Sequence, residues 1–218
     1  MKVMAFLVAG LLGAQWAAAE DGQTTTGEAV VDESFGRKEL GDAWHINTGD
    51  WRIVDGVLRA REVADDNHSA AARLTVETKD AVYQLRFRLV NEAKAFHFGF
   101  DPARGELKKR GHLFSVIVTP DAWKILKHID KDRPDDDPNE TLAQQQTTFE
   151  AGQWYTLRVT TRKESVVAHI EGKEPLKASH KTFGVKKPTL VFRCIGDGIE
   201  IDDIQVWTQQ KNTSRSGE

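Results

Sequence analysis

Cysteine is almost missing from this 218-residue chain. Cys194 stands alone, which excludes an intramolecular disulfide framework and any cysteine-rich zinc site. An excess of one charge sign is missing too: 30 basic against 33 acidic side chains leave −3, with no long-range pull toward nucleic acid or an anionic membrane. No apolar run approaches the roughly 20 residues that a bilayer-crossing helix needs, and no window of useful length carries the spacing of a long amphipathic helix. The catalytic signatures with local spacing are absent as well: Gly-x-Ser-x-Gly, a phosphate-binding glycine loop, a dinucleotide fingerprint and His-Glu-x-x-His. The 7 histidines are scattered, so any site they form must be assembled from distant segments.

What is present suffices for one independent fold. Apolar content of 39% lies a little below the usual range of about 45–50%, and a chain of this size buries roughly 70% of its extended surface without a disulfide or metal. The start reads as an export signal: Met1-Lys2 is a short positive head, Val3 to Leu12 is apolar, and Ala17-Ala18-Ala19 precedes Glu20-Asp21 as a small-residue cleavage site. The expectation is a signal peptide over 1–19 cleaved after Ala19, a flexible stretch over 20–27, one domain over 28–208 and a disordered polar tail over 209–218. The mature protein is then secreted or periplasmic, without a membrane span and monomeric.

The mature chain has one rhythm, short alternating segments divided by turn signals. Tyr83, Leu85, Phe87 and Leu89 share one side and Gln84, Arg86 and Arg88 the other. Phe96, Phe98 and Phe100 likewise oppose His97, Gly99 and Asp101. A period of two sends neighbouring side chains to opposite faces, so each segment reads as a strand with one buried face. Similar runs occur at Leu113–Thr119, Trp123–Ile129, Trp154–Thr161, Val166–Ile170, Thr189–Cys194 and Ile199–Trp207. Turn signals separate them at Asp55-Gly56, Asp101-Pro102, Pro120-Asp121, Glu171-Gly172 and Gly196-Asp197-Gly198. Thr141–Gln146 reads as one or two helical turns at most. The pattern predicts an all-β fold, an antiparallel two-sheet jelly-roll sandwich.

Two acidic features invite a metal reading. Asp130 to Glu140 (DKDRPDDDPNE) is dense in carboxylates, but Pro134 and Asp135 stand where a helix-loop calcium site needs its turn glycine, so a solvated loop is expected. Glu200-Ile201-Asp202-Asp203-Ile204-Gln205 departs by one residue from the Glu-x-Asp-x-x-Glu of retaining β-glucanases: Gln205 cannot give and retrieve a proton as a carboxyl group does. Apolar residues there switch from odd numbers (Ile199, Ile201) to even (Ile204, Val206), the signature of a β-bulge. No cofactor is required by the sequence, and a structural calcium at Asp202 and Asp203, with Asp32 or Glu33 contributing, is the one metal site it suggests.

The run Gly49-Asp50-Trp51-Arg52-Ile53-Val54-Asp55-Gly56-Val57-Leu58 resembles the opening motif of secreted concanavalin A-like sandwich proteins, a superfamily that includes 3-keto-disaccharide hydrolase-like (LamG-like) domains. Tyr83-Gln84-Leu85-Arg86-Phe87-Arg88, Phe96-His97-Phe98-Gly99-Phe100, Gly152-Gln153-Trp154-Tyr155 and Ile199 to Trp207 resemble later elements in the same order, so the likeness extends over nearly all of 28–208. It implies a fold and a saccharide ligand. It does not carry the reaction, because Phe96-His97-Phe98 replaces an Asn-Ser-Gly element and Gly111-His112-Leu113-Phe114 lacks the carboxylate of a Gly-Tyr-Glu element.

Outward polar positions nominate the site. His97, Asp101 and His112 are the catalytic candidates, with His97 and Asp101 close enough along one strand face for an acid/base or ligand-orienting pair. Arg88, Ser115, Trp123, His128 and Arg193 are candidates for holding substrate, and Lys127 is a further outward polar position. Trp123 can stack on a sugar ring or fill the core; Trp44, Trp51, Trp154 and Trp207 are expected in the core, and Gln84, Arg86 and Arg88 on a solvated face. Three functions stay open: a saccharide-binding or accessory module, a glycan-processing hydrolase of the keto-disaccharide type, and a cell-envelope interaction domain without a sugar ligand.

Overall fold

The computed structural model describes residues 29–208. The expected signal peptide, the stretch over 20–27 and the tail over 209–218 lie outside the described residues. Within them every regular element is a strand but for one 3₁₀ turn at Ala64–Asp66. In order the strands are β1 Val31–Glu33, β2 Trp44–Thr48, β3 Asp50–Val54, β4 Val57–Arg61, β5 Ala70–Thr78, β6 Ala81–Leu89, β7 Ala93–Phe100 and β8 Phe114–Val118. They continue as β9 Ala122–Lys127, β10 Glu140–Gln146, β11 Tyr155–Arg162, β12 Ser165–Ile170, β13 Leu176–Ser179, β14 Lys187–Gly196 and β15 Ile199–Thr208.

Two antiparallel sheets form the sandwich. The eight-stranded sheet runs β13-β12-β11-β6-β15-β4-β3 with β1 also on β15; the seven-stranded sheet runs β10-β9-β8-β7-β14-β5-β2. The two strands with the cleanest alternation, β6 and β7, follow one another in sequence and enter different sheets, so their apolar sides meet. Tyr83 lies 4.9 Å from Phe100 and 6.1 Å from Phe98, and Phe87 lies 5.1 Å from Phe96, centroid to centroid. Phe98–Phe192 and Phe100–Phe114 contacts spread this aromatic seam along the seven-stranded sheet. Between β3 and β4 the Asp55-Gly56 turn has both residues at positive φ, 52° and 76°, the two-residue hairpin that matches strand twist.

The expected bulge in β15 is present. Register shifts between Asp202 and Gln205, Asp203 sits at φ 49°, and there β15 exchanges β4, paired through Ile199–Ile201, for β1, paired through Ile204–Val206. Thr141–Gln146 is not helical. It belongs to edge strand β10, paired with β9 from Glu140↔Lys127 to Gln146↔Ala122, because the open hydrogen-bonding edge of β9 outweighs weak helix propensity. Trp44 and Trp51 are core, but Trp154 and Trp207 are half-buried on the outer face of the eight-stranded sheet, since Tyr155 and Val206 beside them point inward. Trp154 is flanked by the Arg86 and Arg88 guanidiniums at 4.8 and 4.7 Å.

Most of the acidic loop, 131–136 and 138–140, is exposed as expected, but Asp130 and Asp137 fasten it to the sandwich. Asp130 is buried, accepts backbone N–H bonds from Arg110 (3.0 Å) and Asp132 (3.1 Å), and pairs with Arg133 at 3.0 Å. Those backbone bonds hold its carboxyl down at about 2. Asp137 bridges two lysines whose side chains are only 3% and 4% exposed: Lys109 at 3.1 Å, and Lys127, which also donates to the Pro138 carbonyl at 2.6 Å. Lys127 therefore shares the inward side of β9 with Trp123 and does not face outward as expected.

Removing one partner of a buried pair strands the other charge. Asp137→Asn is expected to lower the unfolding free energy by about 3 kcal/mol in urea titration; a loss below about 0.5 kcal/mol would mean that Asp137 does not anchor the loop.

Candidate functional site

Register places three of the candidates, Arg193, His97 and Ser115, in two adjacent rows on the outer face of the seven-stranded sheet. One row runs Thr48, Ala71, Arg193, His97, Ile117, Lys124, Gln144, each the Cα partner of the next. The other runs His45, Arg73, Val191, Gly99, Ser115, Leu126, Thr141. Ala71, Ala95, Ile117 and Val191 are buried although they lie outside the core between the sheets. They give this face an apolar floor beneath its polar groups.

A continuous polar network lies over that floor. Asp101 Oδ1 accepts from His112 Nδ1 at 2.6 Å, and its Oδ2 accepts from Arg73 Nε at 2.8 Å and Thr189 Oγ1 at 3.2 Å. Burial alone raises a carboxyl pKa, but the His112 and Arg73 bonds outweigh it and hold Asp101 at about 2, so Asp101 is ionised and His112 Nδ1 carries the proton. The His112 ring meets that of His128 edge-on, 5.3 Å between centroids, and His128 Nε2 shares a 2.7 Å hydrogen bond with Ser115 Oγ. Arg73 also reaches Asn47. Gly99 makes the Ser115–His128 bond possible, because a Cβ there would lie 2.3 Å from Ser115 Oγ.

His97 differs from its neighbours. It is 9% exposed, yet its Nδ1 is buried without any hydrogen-bond partner. Burial, with Arg193, His112 and Lys124 nearby, pushes its pKa down to about 3; burial, with His112, His97, Arg193 and Lys109 nearby, pushes His128 down to about 3. Both are neutral at pH 7. The network can therefore orient a ligand by hydrogen bonds, whereas proton donation from Asp101 is closed. Ser115 is 3% exposed and its partner His128 is a very weak base, so the pair is not arranged as an activated nucleophile.

His97, Asp101, His112, Ser115, His128 and Arg193 thus share one face, although Asp101 is bonded to His112 and Arg73 and not to His97. The remaining candidates lie elsewhere. Trp123 is fully buried between the sheets with Nε1 donating to Gln145 at 2.8 Å, so it cannot stack on a sugar. Arg88 is on the opposite sheet, where it and Arg59 hold the buried carboxylate of Glu200. That grip also shows the outer face around Gln84, Arg86 and Arg88 to be half-buried and ion-paired. Asp202 and Asp203 face Arg86 at 3.9 and 3.1 Å, Asp32 accepts from Gln205, and Glu33 is held by Arg37 and Trp44, so these four carboxylates do not surround one point. No three His, Cys, Asp or Glu side chains among the described residues form a metal-holding group. Sequence reading missed Arg73, because Ala70-Ala71-Ala72 puts alanine on both faces of β5 and erases the polar–apolar contrast that marks orientation.

Solved structures share this architecture at low sequence identity. The carbohydrate-binding module CBM66 from Bacillus subtilis superposes with a TM-score of 0.60 at 11% identity, covering 76% of this chain and 96% of its own. The laminarinase from Rhodothermus marinus gives 0.66 at 11%, covering 84% and 98%. The GH16 non-specific endo-β-1,3(4)-glucanase SCLam gives 0.62 at 12%, covering 84% and 91%. The fold is concanavalin A-like. No protein-family model and no curated protein sequence matches the chain. In this concanavalin A-like sandwich, the Glu200–Gln205 segment lies on the eight-stranded sheet and the histidine network on the seven-stranded one.

The depressed histidines make stability depend on pH with a definite sign. Below about 6.5 the unfolded chain takes up protons that native His97 and His128 refuse until about pH 3, so stability is complete above 6.5 and falls as pH falls, by about 1.4 kcal/mol per unit for each histidine. Asp101 adds a loss between roughly pH 4 and 2. Calorimetry from pH 7 to 5 should show a falling Tm, with about half the slope in His128→Gln; a flat profile would mean that these imidazoles stay hydrated.

Proposed function

We propose that this protein is an exported saccharide-binding module that docks its ligand on the outer face of the seven-stranded sheet. The observation that carries the reading is the buried, unpartnered Nδ1 of His97, on a face where the Asp101–His112 and Ser115–His128 pairs already have their hydrogen bonds. An orphaned buried polar atom costs about 1–3 kcal/mol, a cost that a ligand hydroxyl can offset by completing the bond. The buried apolar floor of Ile117, Val191, Ala71 and Ala95 holds the polar groups above it in place, and those fixed groups supply orientation.

Binding fits the chemistry better than cleavage. Glycoside hydrolysis generally needs two carboxyl groups with separated roles, and this network contains Asp101 alone, ionised and saturated by His112, Arg73 and Thr189. The likeness to both a carbohydrate-binding module and glucanases supports a glycan-associated role. The apolar segment Val3 to Leu12 ahead of Ala17-Ala18-Ala19 supports export.

Residues 20–218 screened against a glycan array, with and without calcium and followed by product analysis, test this. Binding without cleavage is expected. His97→Leu should weaken it at least about tenfold, or about 1.4 kcal/mol, while Tm stays level or rises because an unsatisfied buried nitrogen has been removed. Released products would replace binding with hydrolysis. An array with no bound glycan would overturn the proposal in favour of an envelope partner lacking sugar.

A further inference from the structure

Three half-buried arginines on the sheet faces hold carboxylates. Arg73 pairs with Asp101, Arg86 with Asp203, and Arg88 with Glu200. Arg193 breaks the pattern. It is half-buried, yet no carboxylate of the described residues lies within ion-pairing distance; Glu62 contributes only a weak, more distant field. Its Nε and Nη2 both donate to one neutral acceptor, Ser69 Oγ, at 3.2 and 2.5 Å. One edge of the guanidinium is thereby fixed, and the end carrying Nη1 has no partner among the described residues.

The residue directly across the ladder from Arg193 is His97, with its orphaned Nδ1. Lys124 lies in the same row beyond Ile117, and Arg73 lies one row away. The small side chains of Ala71, Ala95 and Gly99 flank the His97–Arg193 pair. Two neighbouring side chains, one cationic and one neutral, thus lack partners at the same place, amid an excess of positive charge. A desolvated cation with no counter-ion is costly, and a planar guanidinium with a free edge matches the two oxygens of an oxyanion.

We infer that Arg193 and His97 seat the anionic group of an acidic saccharide, the carboxylate of a uronate or the sulfate of a sulfated sugar. One oxygen bonds to the free end of the guanidinium and a second oxygen or adjacent hydroxyl completes His97. Arg193 is then the residue that determines specificity. The inference rests on the reading that this face binds saccharide and adds the ligand's charge class to it.

The test uses residues 20–218 and an array containing neutral, uronate-bearing, methyl-esterified uronate and sulfated glycans, with hits quantified by calorimetry at near-physiological salt. Acidic members should bind at least about tenfold more tightly than neutral or esterified members of the same backbone. Esterification removes the ligand's charge and leaves the protein intact, so this comparison does not depend on any variant folding. Arg193→Gln should lose the acidic ligands, whereas Arg52→Gln, the same charge change on an exposed arginine of the other sheet, should keep them. Preference for uronate or for sulfate identifies which oxyanion fits, and either supports the seat. Equal binding of neutral, esterified and acidic members would overturn the inference and leave saccharide binding standing. Binding of none would overturn both.

Discussion

The interleaving of aromatic rings between β6 and β7 governs everything else in this molecule. Tyr83 and Phe87 from one sheet pack against Phe96, Phe98 and Phe100 from the other, and all five are buried. Because strand side chains alternate, seating three phenylalanines inward obliges His97, Gly99 and Asp101 to face outward. A slip of one residue would put three aromatic rings in water and a carboxylate in oil, so the register is strongly specified. The candidate face is thus positioned by the opposite, buried side of the same strand.

The two outer faces are finished differently. On the eight-stranded sheet, Arg59 and Arg88 close on Glu200, Arg86 lies against Asp203, and Trp154 is covered by two guanidiniums. Charge is balanced side chain by side chain there. On the seven-stranded sheet the balance stops at Asp101: its three donors leave Arg193 without a counter-ion and His97 Nδ1 without a bond among the described residues. Local incompleteness on an otherwise satisfied framework is where sequence-level consistency is expected to give way to function.

The sandwich was legible in the sequence because alternation of large aromatics against polar residues is a strong signal, and the bulge at Asp202-Asp203 could be read from a change of phase alone. Where side chains are small or amphipathic the signal fades. β5 hid Arg73 behind three alanines, and β10 hid in a run of glutamine and leucine whose strand state comes from the neighbouring edge. Six site candidates came together because each sits outward on, or beside, a strand of one sheet. Arg88 could not be separated from them, since alternation tells inside from outside but not one sheet from the other. Trp123 and Lys127 shared a parity with Ile125 that already pointed inward, and the acidic loop's hidden lysine partners were invisible without tertiary distances.

The first and last strands are partners within the eight-stranded sheet, with Val31 opposite Val206. Both ends of the described chain therefore depart side by side from the layer that does not carry His97. A linker, a neighbouring module or a solid support joined at either end meets that layer first. The sandwich can accordingly be spliced into a longer polypeptide, or immobilised on a sensor surface through either terminus, with the histidine-bearing layer left turned to the medium.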